Sequence, residues 1–231
     1  METRYHSKNG ASPKSHMSKT FKTMIMSNLV KLFTIFFFTL LTLQSSAQEE
    51  FTSYDNTYIG KTYDIQISVK EKDKFSLYID AMSLDRMHET GGIIIDQKQH
   101  QDFLNALAEA KEKYQEWVKT AKENNVKELD KTMTMKSKAG GYFLYGSKWN
   151  FQFLVNLKFD FKILESKGEI KYLLLIRTGE LQSSSNQFMK VDGFVLAFSS
   201  IKEIDEFVSA ISIEKITEFA SKPKKDELFK D

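Results

Sequence analysis

Hydrophobic and polar residues alternate in two neighbouring segments, and this alternation is typical of half-buried β-strands. Residues 62–69 read TYDIQISV, with larger apolar side chains at every second position from Tyr63 to Val69. Residues 74–81 read KFSLYIDA and repeat the pattern from Phe75. The charged segment 70–74 lies between them. The pattern therefore predicts a β-hairpin with one buried face.

A different period begins at Gln97 and continues to about Glu123. Apolar residues there are spaced four and three apart, which keeps them on one side of an α-helix. They are Phe103, Leu107, Ala110, Tyr114, Trp117 and Ala121. Asp96 and Gln99 have the spacing of a capping box at the start of this helix. We therefore predict a long amphipathic helix.

The second half of the chain is rich in strand patterns. Apolar residues occupy every second position from Phe151 to Ile163, which predicts one long strand with these side chains on a single face. Residues 170–177, IKYLLLIR, and 194–198, FVLAF, predict two more strands, and Ile201 to Ile211 predict a second amphipathic helix. The fold class is therefore α+β: antiparallel β-sheet packed by one long and one shorter helix.

The junction between strand and helix occurs twice. Gly91 and Gly92, the isoleucines at 93–95 and the Asp96 cap precede the first helix; FVLAF and a Ser200/Glu203 capping box precede the second. The repetition indicates two related sheet-plus-helix halves, residues 58–126 and 127–220. The alternative is that any capped amphipathic helix after a strand has this appearance. At the first junction, we expect the glycines to let the chain turn and the isoleucines to form a short buried strand.

The repeated order of strands and helix resembles the β-sheet–helix repeats of whirly and PUR proteins, which bind single-stranded nucleic acid. The resemblance implies that a single-stranded nucleic-acid or polyanion binder is one alternative function for this chain.

The N-terminal segment of the chain predicts export. Residues 32–43 are apolar and uncharged, follow Lys31, and precede small residues that suit cleavage after Ala47. We predict that residues 1–47 are a cleavable signal peptide preceded by a mis-assigned N-terminal extension, which leaves no stable membrane anchor. Residues 48–57 are expected to be a polar linker, 58–220 a single domain and 221–231 a charged flexible tail. The mature protein would be periplasmic or secreted.

The predicted cleavage changes the charge of the protein. The whole chain has 33 basic and 31 acidic residues, but residues 1–47 hold six of the basic ones and one of the acidic ones. The remainder therefore carries a net charge of −3, and we expect no nucleic-acid partner. The chain has no cysteine, which excludes disulfides and thiolate catalysis.

Candidate catalytic residues are few. Asp85, His88, Asp96 and His100 lie close in sequence, but they lack the spacing of metal-ligand pairs. No nucleophile motif surrounds any serine. We therefore predict no catalytic residues, no metal and no cofactor. A hydrolytic enzyme with a site near the first strand–helix junction is the alternative.

Two groups of residues have the chemistry of binding. Tyr142, Tyr145 and Trp149 surround a predicted turn, where aromatic rings can stack on a flat ligand. Lys158 and Arg177 lie on polar strand faces and could hold an anion. We therefore predict a non-enzymatic exported protein that binds a partner protein or a small ligand through its sheet face or loops.

Overall fold

The computed structural model describes residues 48–71, 74–166 and 168–222. The predicted signal peptide and nearly all of the predicted tail lie outside the described residues. Strands make up about half of the described residues and helices about a quarter, and the predicted α+β class is confirmed. The predicted long helix and the shorter second helix are both present.

The described residues contain twelve strands and three helical segments. The strands are β1 Glu49–Asn56, β2 Lys61–Glu71, β3 Lys74–Asp80, β4 Met82–Ser83, β5 Gly91–Asp96, β6 Leu129–Thr132, β7 Ser137–Tyr145, β8 Lys148–Ser166, β9 Glu169–Arg177, β10 Leu181–Gln182, β11 Lys190–Val191 and β12 Phe194–Phe198. The helices are α1 Gln97–Glu123, α2 Ile201–Ala210 and α3 Ile213–Ser221. The third segment was not predicted, because its nine residues extend a helix that the sequence pattern ended at Ile211.

One antiparallel sheet contains ten of these strands in the order β1-β2-β3-β5-β7-β8-β9-β12-β4, with β6 paired to β8. Strands β10 and β11 form a separate small ladder. Strand β4 follows β3 after a single residue, yet it pairs with β12 at the far end of the order. The sheet therefore curls, so that β4, the segment directly after β3 in the chain, pairs with β12 at the other end of the strand order.

The same order of elements occurs twice. Four longer strands, β1, β2, β3 and β5, and the two-residue β4 precede α1. Four longer strands, β7, β8, β9 and β12, and the short β6, β10 and β11 lie between α1 and α2. Each helix packs against strands of the other half: α1 lies on β7 and β9, and α2 lies on β1. The Tyr114 hydroxyl of α1 donates to the carbonyls of Tyr172 and Ser199, which ties the first helix to the second half.

The core lies on the face of the sheet that carries the helices, which we call the inner face. It contains the predicted helix stripe and alternate residues of the strands, including Ile65, Leu77 and Phe161. The opposite, outer face is covered by neither α1 nor α2. Residues on that face therefore meet solvent or each other.

Residues 48–57 are not a linker, so that prediction is wrong. Residues 49–56 form β1, paired in register with β2. Tyr54 and Asn56 point inward and are buried, and the Tyr54 ring stacks on that of Tyr63 at 5.5 Å. The sequence here is mostly polar because, of the eight residues of β1, only Tyr54 belongs to the hydrophobic core and only Phe51 packs against it.

The prediction that Phe151 to Ile163 share one face is also wrong. Ala139 pairs with Val155, but Gly141 pairs with Gln152, so β8 contains one extra residue between these pairs. A β-bulge of this kind moves the residues before it to the other face. Phe151 and Phe153 therefore lie on the outer face, while Val155 and the residues after it keep the inner face.

The two glycines of the first junction lie inside a strand and not in a turn. Gly91 and Gly92 are the first residues of β5; Gly92 pairs with both β3 and β7, and Gly91 pairs with β7. Asp96 accepts a hydrogen bond from Ser76, and its own N–H donates to the Gln99 side chain. This side of the predicted capping box is present.

Candidate functional site

The outer face carries five aromatic residues that we call the aromatic strip: Tyr78, Tyr142, Trp149, Phe151 and Phe153. The Tyr142 ring centroid lies 5.7 Å from that of Tyr78 and 5.8 Å from that of Trp149. Phe151 is directly opposite Tyr142 in the β7–β8 ladder, and its ring stacks with that of Phe153 at 6.4 Å. Trp149 is 50% exposed and Phe153 69% exposed. Trp149 and Phe153 therefore offer ring faces to solvent, Tyr78 and Phe151 are partly buried, and Tyr142 is only 5% exposed.

Gly92 allows the strip to form. Asp80 on β3 and Tyr142 on β7 both pair with Gly92, one from each side. Although β5 separates them, the Tyr142 hydroxyl donates a hydrogen bond to Oδ1 of Asp80. The tyrosine side chain must therefore reach across β5 at a position that has no side chain.

Asp80 and Tyr142 are an electrostatically coupled pair. Burial raises the pKa of the Asp80 carboxyl, and the hydrogen bond from Tyr142 offsets part of that increase. Burial, followed by the nearby Asp80 charge, raises the pKa of the Tyr142 phenol far above its ordinary value. Tyr142 is therefore a neutral hydrogen-bond donor at physiological pH. Among the described side chains, no donor occupies Oδ2 of Asp80, so this oxygen can accept a bond from a ligand.

We expect Asp80→Asn to flatten the pH dependence of stability. Since the folded-state pKa of Asp80 is raised, the folded protein holds this proton more tightly than the unfolded chain. The free energy of unfolding of the wild type therefore falls as the pH rises from about 4, the ordinary carboxylate range, through the raised pKa. Asparagine lacks this decline, and its carbonyl oxygen can still accept from Tyr142. Urea unfolding at a series of pH values measures the slope. Asp192→Asn, at an exposed position, is the control, and equal slopes in both variants would contradict the assignment.

Tyr145 is not part of the strip. Its ring stacks on the His88 imidazole at 4.4 Å, and Nδ1 of His88 lies 3.2 Å from Oδ2 of Asp85. The three aromatic residues predicted as one cluster therefore divide: Tyr142 and Trp149 share the outer face, while Tyr145 packs against the loop that joins β4 to β5.

Lys158 and Arg177 lie together elsewhere. They are directly opposite in the β8–β9 ladder and line a groove of about 700 Å³. Its other lining residues are Thr132, Met133, Thr134, Met135, Lys136, Asn156 and Leu157. We call this the cationic groove.

The residues proposed for an enzyme site at the first junction have structural contacts. Nε2 of His100 lies 2.7 Å from the carbonyl oxygen of Ile211, at the C-terminal end of α2, and the His100 ring packs edge-on against Phe75. His100 is buried and joins the start of α1 to the end of α2. In the described part of the chain, no group of three or more acidic or histidine side chains is placed to hold a metal.

Tyr78, Asp80, Phe151 and Phe153 were missed as site residues. Tyr78 and Asp80 do alternate outward in the first predicted hairpin, but nothing local shows that β7 lies two strands away. The phenylalanines were assigned to the core because the bulge in β8 has no clear sequence signal.

Comparisons with protein-family models, with curated proteins and with solved structures find no match to this chain. Among the described residues, no helix combines the length and the apolar character needed to cross a membrane.

Proposed function

We propose that the protein is an exported, non-enzymatic binding protein that holds a carbohydrate against the aromatic strip. The observation that carries this proposal is the group of neighbouring aromatic rings on an outer face that neither α1 nor α2 covers, of which Trp149 is 50% exposed and Phe153 is 69% exposed. Exposed apolar side chains grouped on one face mark interaction sites in soluble proteins.

The chemistry of the strip suits a sugar ring. The C–H face of a pyranose packs on an aromatic ring, and its hydroxyl groups need hydrogen-bond partners at the edge. Asp80 lies beside Tyr142, and Gln66 on β2 is directly opposite Tyr78 in the ladder. A carboxylate and an amide therefore accompany the rings, as a polyhydroxylated ligand requires.

The charges at the β2–β3 end of the strip are mixed. Asp64 and Lys61 both lie near enough to Asp80 to shift the pKa of its carboxyl, Asp64 upward and Lys61 downward. The two acidic groups outnumber the basic one, so this end of the strip does not form the basic surface that nucleic acids need. Export, predicted from residues 1–47, also suits a ligand found outside the cytoplasm.

A partner protein is the second candidate. Phe153 and Leu154 are 69% and 62% exposed at the bulge of β8, which gives that end of the strip an apolar character typical of interfaces. A protein partner would bury both side chains. A carbohydrate held near Tyr142 and Trp149 would leave Leu154 exposed.

Two tryptophan variants test the proposal. A panel of neutral oligosaccharides is screened against the mature chain, and the affinity of those that bind is measured by calorimetry. We expect Trp149→Ala to weaken binding about tenfold or more, because the ring face it removes is exposed and central.

Trp117→Phe is the matched control. Trp117 packs on Phe161, 5.6 Å between centroids, on the inner face. This variant should bind saccharides as the wild type does. Equal affinities of all three proteins, or no binding by the wild type, would exclude a carbohydrate site on the strip.

A further inference from the structure

The cationic groove carries three basic side chains, and in the described part of the chain only Arg177 among them has an acidic partner. Lys136, Lys158 and Arg177 line it, and no acidic residue is among its lining residues. Among the described residues, no carboxylate lies within ion-pair distance of Lys136 or Lys158. Two of its three cationic side chains are therefore free to meet an anion.

The buried carboxylate of Asp160 holds the Arg177 side chain in position. Nε of Arg177 lies 2.5 Å from Oδ2 of Asp160, a carboxylate that is 1% exposed. The Thr132 hydroxyl donates to the other Asp160 oxygen at 2.6 Å. Both oxygens of Asp160 are thus occupied, and this buried carboxylate orients the guanidinium. Among the described residues, the terminal nitrogens of Arg177 have no hydrogen-bond partner.

Lys158 is placed directly across the ladder from Arg177. Two like charges opposite each other on one face of a strand pair repel. Asp160 neutralises one of them, so the groove keeps an excess of positive charge. An anion bound between the two strands would remove that repulsion and gain charge-assisted hydrogen bonds.

The positive region is limited in extent. A second groove adjoins it across Met135 and Lys136, and its lining includes Asp102 and Glu109. The volume of the cationic groove lies in the range of roughly 300–1,000 Å³ that is usual for small-molecule sites. A long polyanion would have to pass acidic side chains, whereas a small anion would not.

We propose that the cationic groove binds a small molecule that carries two or more carboxylate, phosphate or sulfate groups. Lys158 and Arg177 contact one anionic group across the β8–β9 ladder, and Lys136 contacts a second. Met133 and Leu157 provide apolar contact for the body of the molecule. The site is separate from the aromatic strip and does not depend on carbohydrate binding.

Thermal unfolding and calorimetry with citrate, inorganic phosphate and inorganic sulfate test this proposal. Each is compared with sodium chloride at equal ionic strength, so that general screening cancels. We expect at least one of the three anions to raise the melting temperature in a saturable manner. Citrate carries three carboxylates and each of the other two anions carries one anionic group, so tighter binding of citrate shows that the site contacts more than one group.

Variants identify the location. Lys158→Gln and Lys136→Gln should each weaken binding about tenfold, since each removes a charge-assisted contact. Lys98→Gln is the control, because Lys98 is exposed on α1 and lines neither groove. Trp149→Ala should bind the anion with wild-type affinity, because Trp149 does not line the cationic groove. The anion-binding result therefore does not depend on whether the aromatic strip binds a carbohydrate.

Three outcomes would overturn the proposal. One is the absence of any saturable shift for the three anions. Another is an equal loss of affinity in Lys98→Gln and Lys158→Gln, which would show a general charge effect. The third is binding of a long sulfated polymer with none of the small anions, which would assign the charge to a polymer-binding surface.

Discussion

Gly92→Ala should lower the free energy of unfolding by more than about 3 kcal/mol. A Cβ built on Gly92 would lie 1.9 Å from the backbone oxygen of Ile79 on the neighbouring strand. To relieve this steric clash, β3 and β5 must move apart. Their hydrogen bonds then weaken, and so does the pairing of β3 with β2 and of β5 with β7. The new methyl group would also disturb the place where Tyr142 crosses β5 to reach Asp80.

Urea unfolding monitored by circular dichroism measures this loss. Gly140→Ala is the matched control, because Gly140 is also a strand glycine on the outer face. Its added Cβ would meet the Ile94 side chain at 3.1 Å and not a backbone atom of the next strand at 1.9 Å. We expect a smaller loss in Gly140→Ala, and comparable losses in the two variants would contradict the role assigned to Gly92.

Arg177→Met should cost about 2–4 kcal/mol of folding free energy, a value reduced from that of a fully buried pair because the arginine is half-exposed. The cost belongs to Asp160, which would remain buried and, among the described residues, would keep the Thr132 hydroxyl as its only side-chain partner. Methionine keeps most of the length and the apolar stem of arginine, so the lost charge dominates the effect.

A double-mutant cycle isolates that cost. Asp160→Leu combined with Arg177→Met removes the stranded charge, so the double variant should recover much of the stability lost in Arg177→Met. Arg177→Lys keeps a cation and should lose less. A double variant as unstable as the sum of the two single changes would show that the Asp160–Arg177 pair is not what stabilises this region.

Local patterns predicted the elements whose residues meet one continuous environment. The stripe from Phe103 to Ala121 faces one core, so a 3.6-residue period appears and α1 follows it. The alternation of β2 and β3 likewise reflects one buried face. These patterns are sufficient to predict the α+β class, because the period of each helix or strand can be read from residues that are neighbours in the sequence.

Elements that depend on distant partners were mispredicted. Strand β1 looked like a linker because its stabilisation comes from pairing with β2 and from α2 of the other half. The face of Phe151 and Phe153 depends on a bulge set by the register with β7. Neither the pairing nor the register is visible in the local sequence.

The same limit applies to the site. Tyr142 and Trp149 were selected from their types and their closeness in sequence, and the fold places them side by side. Their partners Tyr78 and Asp80 come from a strand more than sixty positions away from Tyr142. Gly92, which permits that contact, first looked like part of a turn because a glycine pair is usual there.

The most direct test of carbohydrate binding on the aromatic strip is the fluorescence of Trp149 in a Trp117→Phe chain, where it is the sole tryptophan. If the carbohydrate binds on the aromatic strip, we expect a bound neutral saccharide to cover the Trp149 ring. Its fluorescence emission should then shift to shorter wavelength, and iodide should quench it less. Emission and iodide access that stay unchanged while calorimetry shows saturation, or the absence of saturation by any neutral saccharide, would contradict carbohydrate binding on the strip.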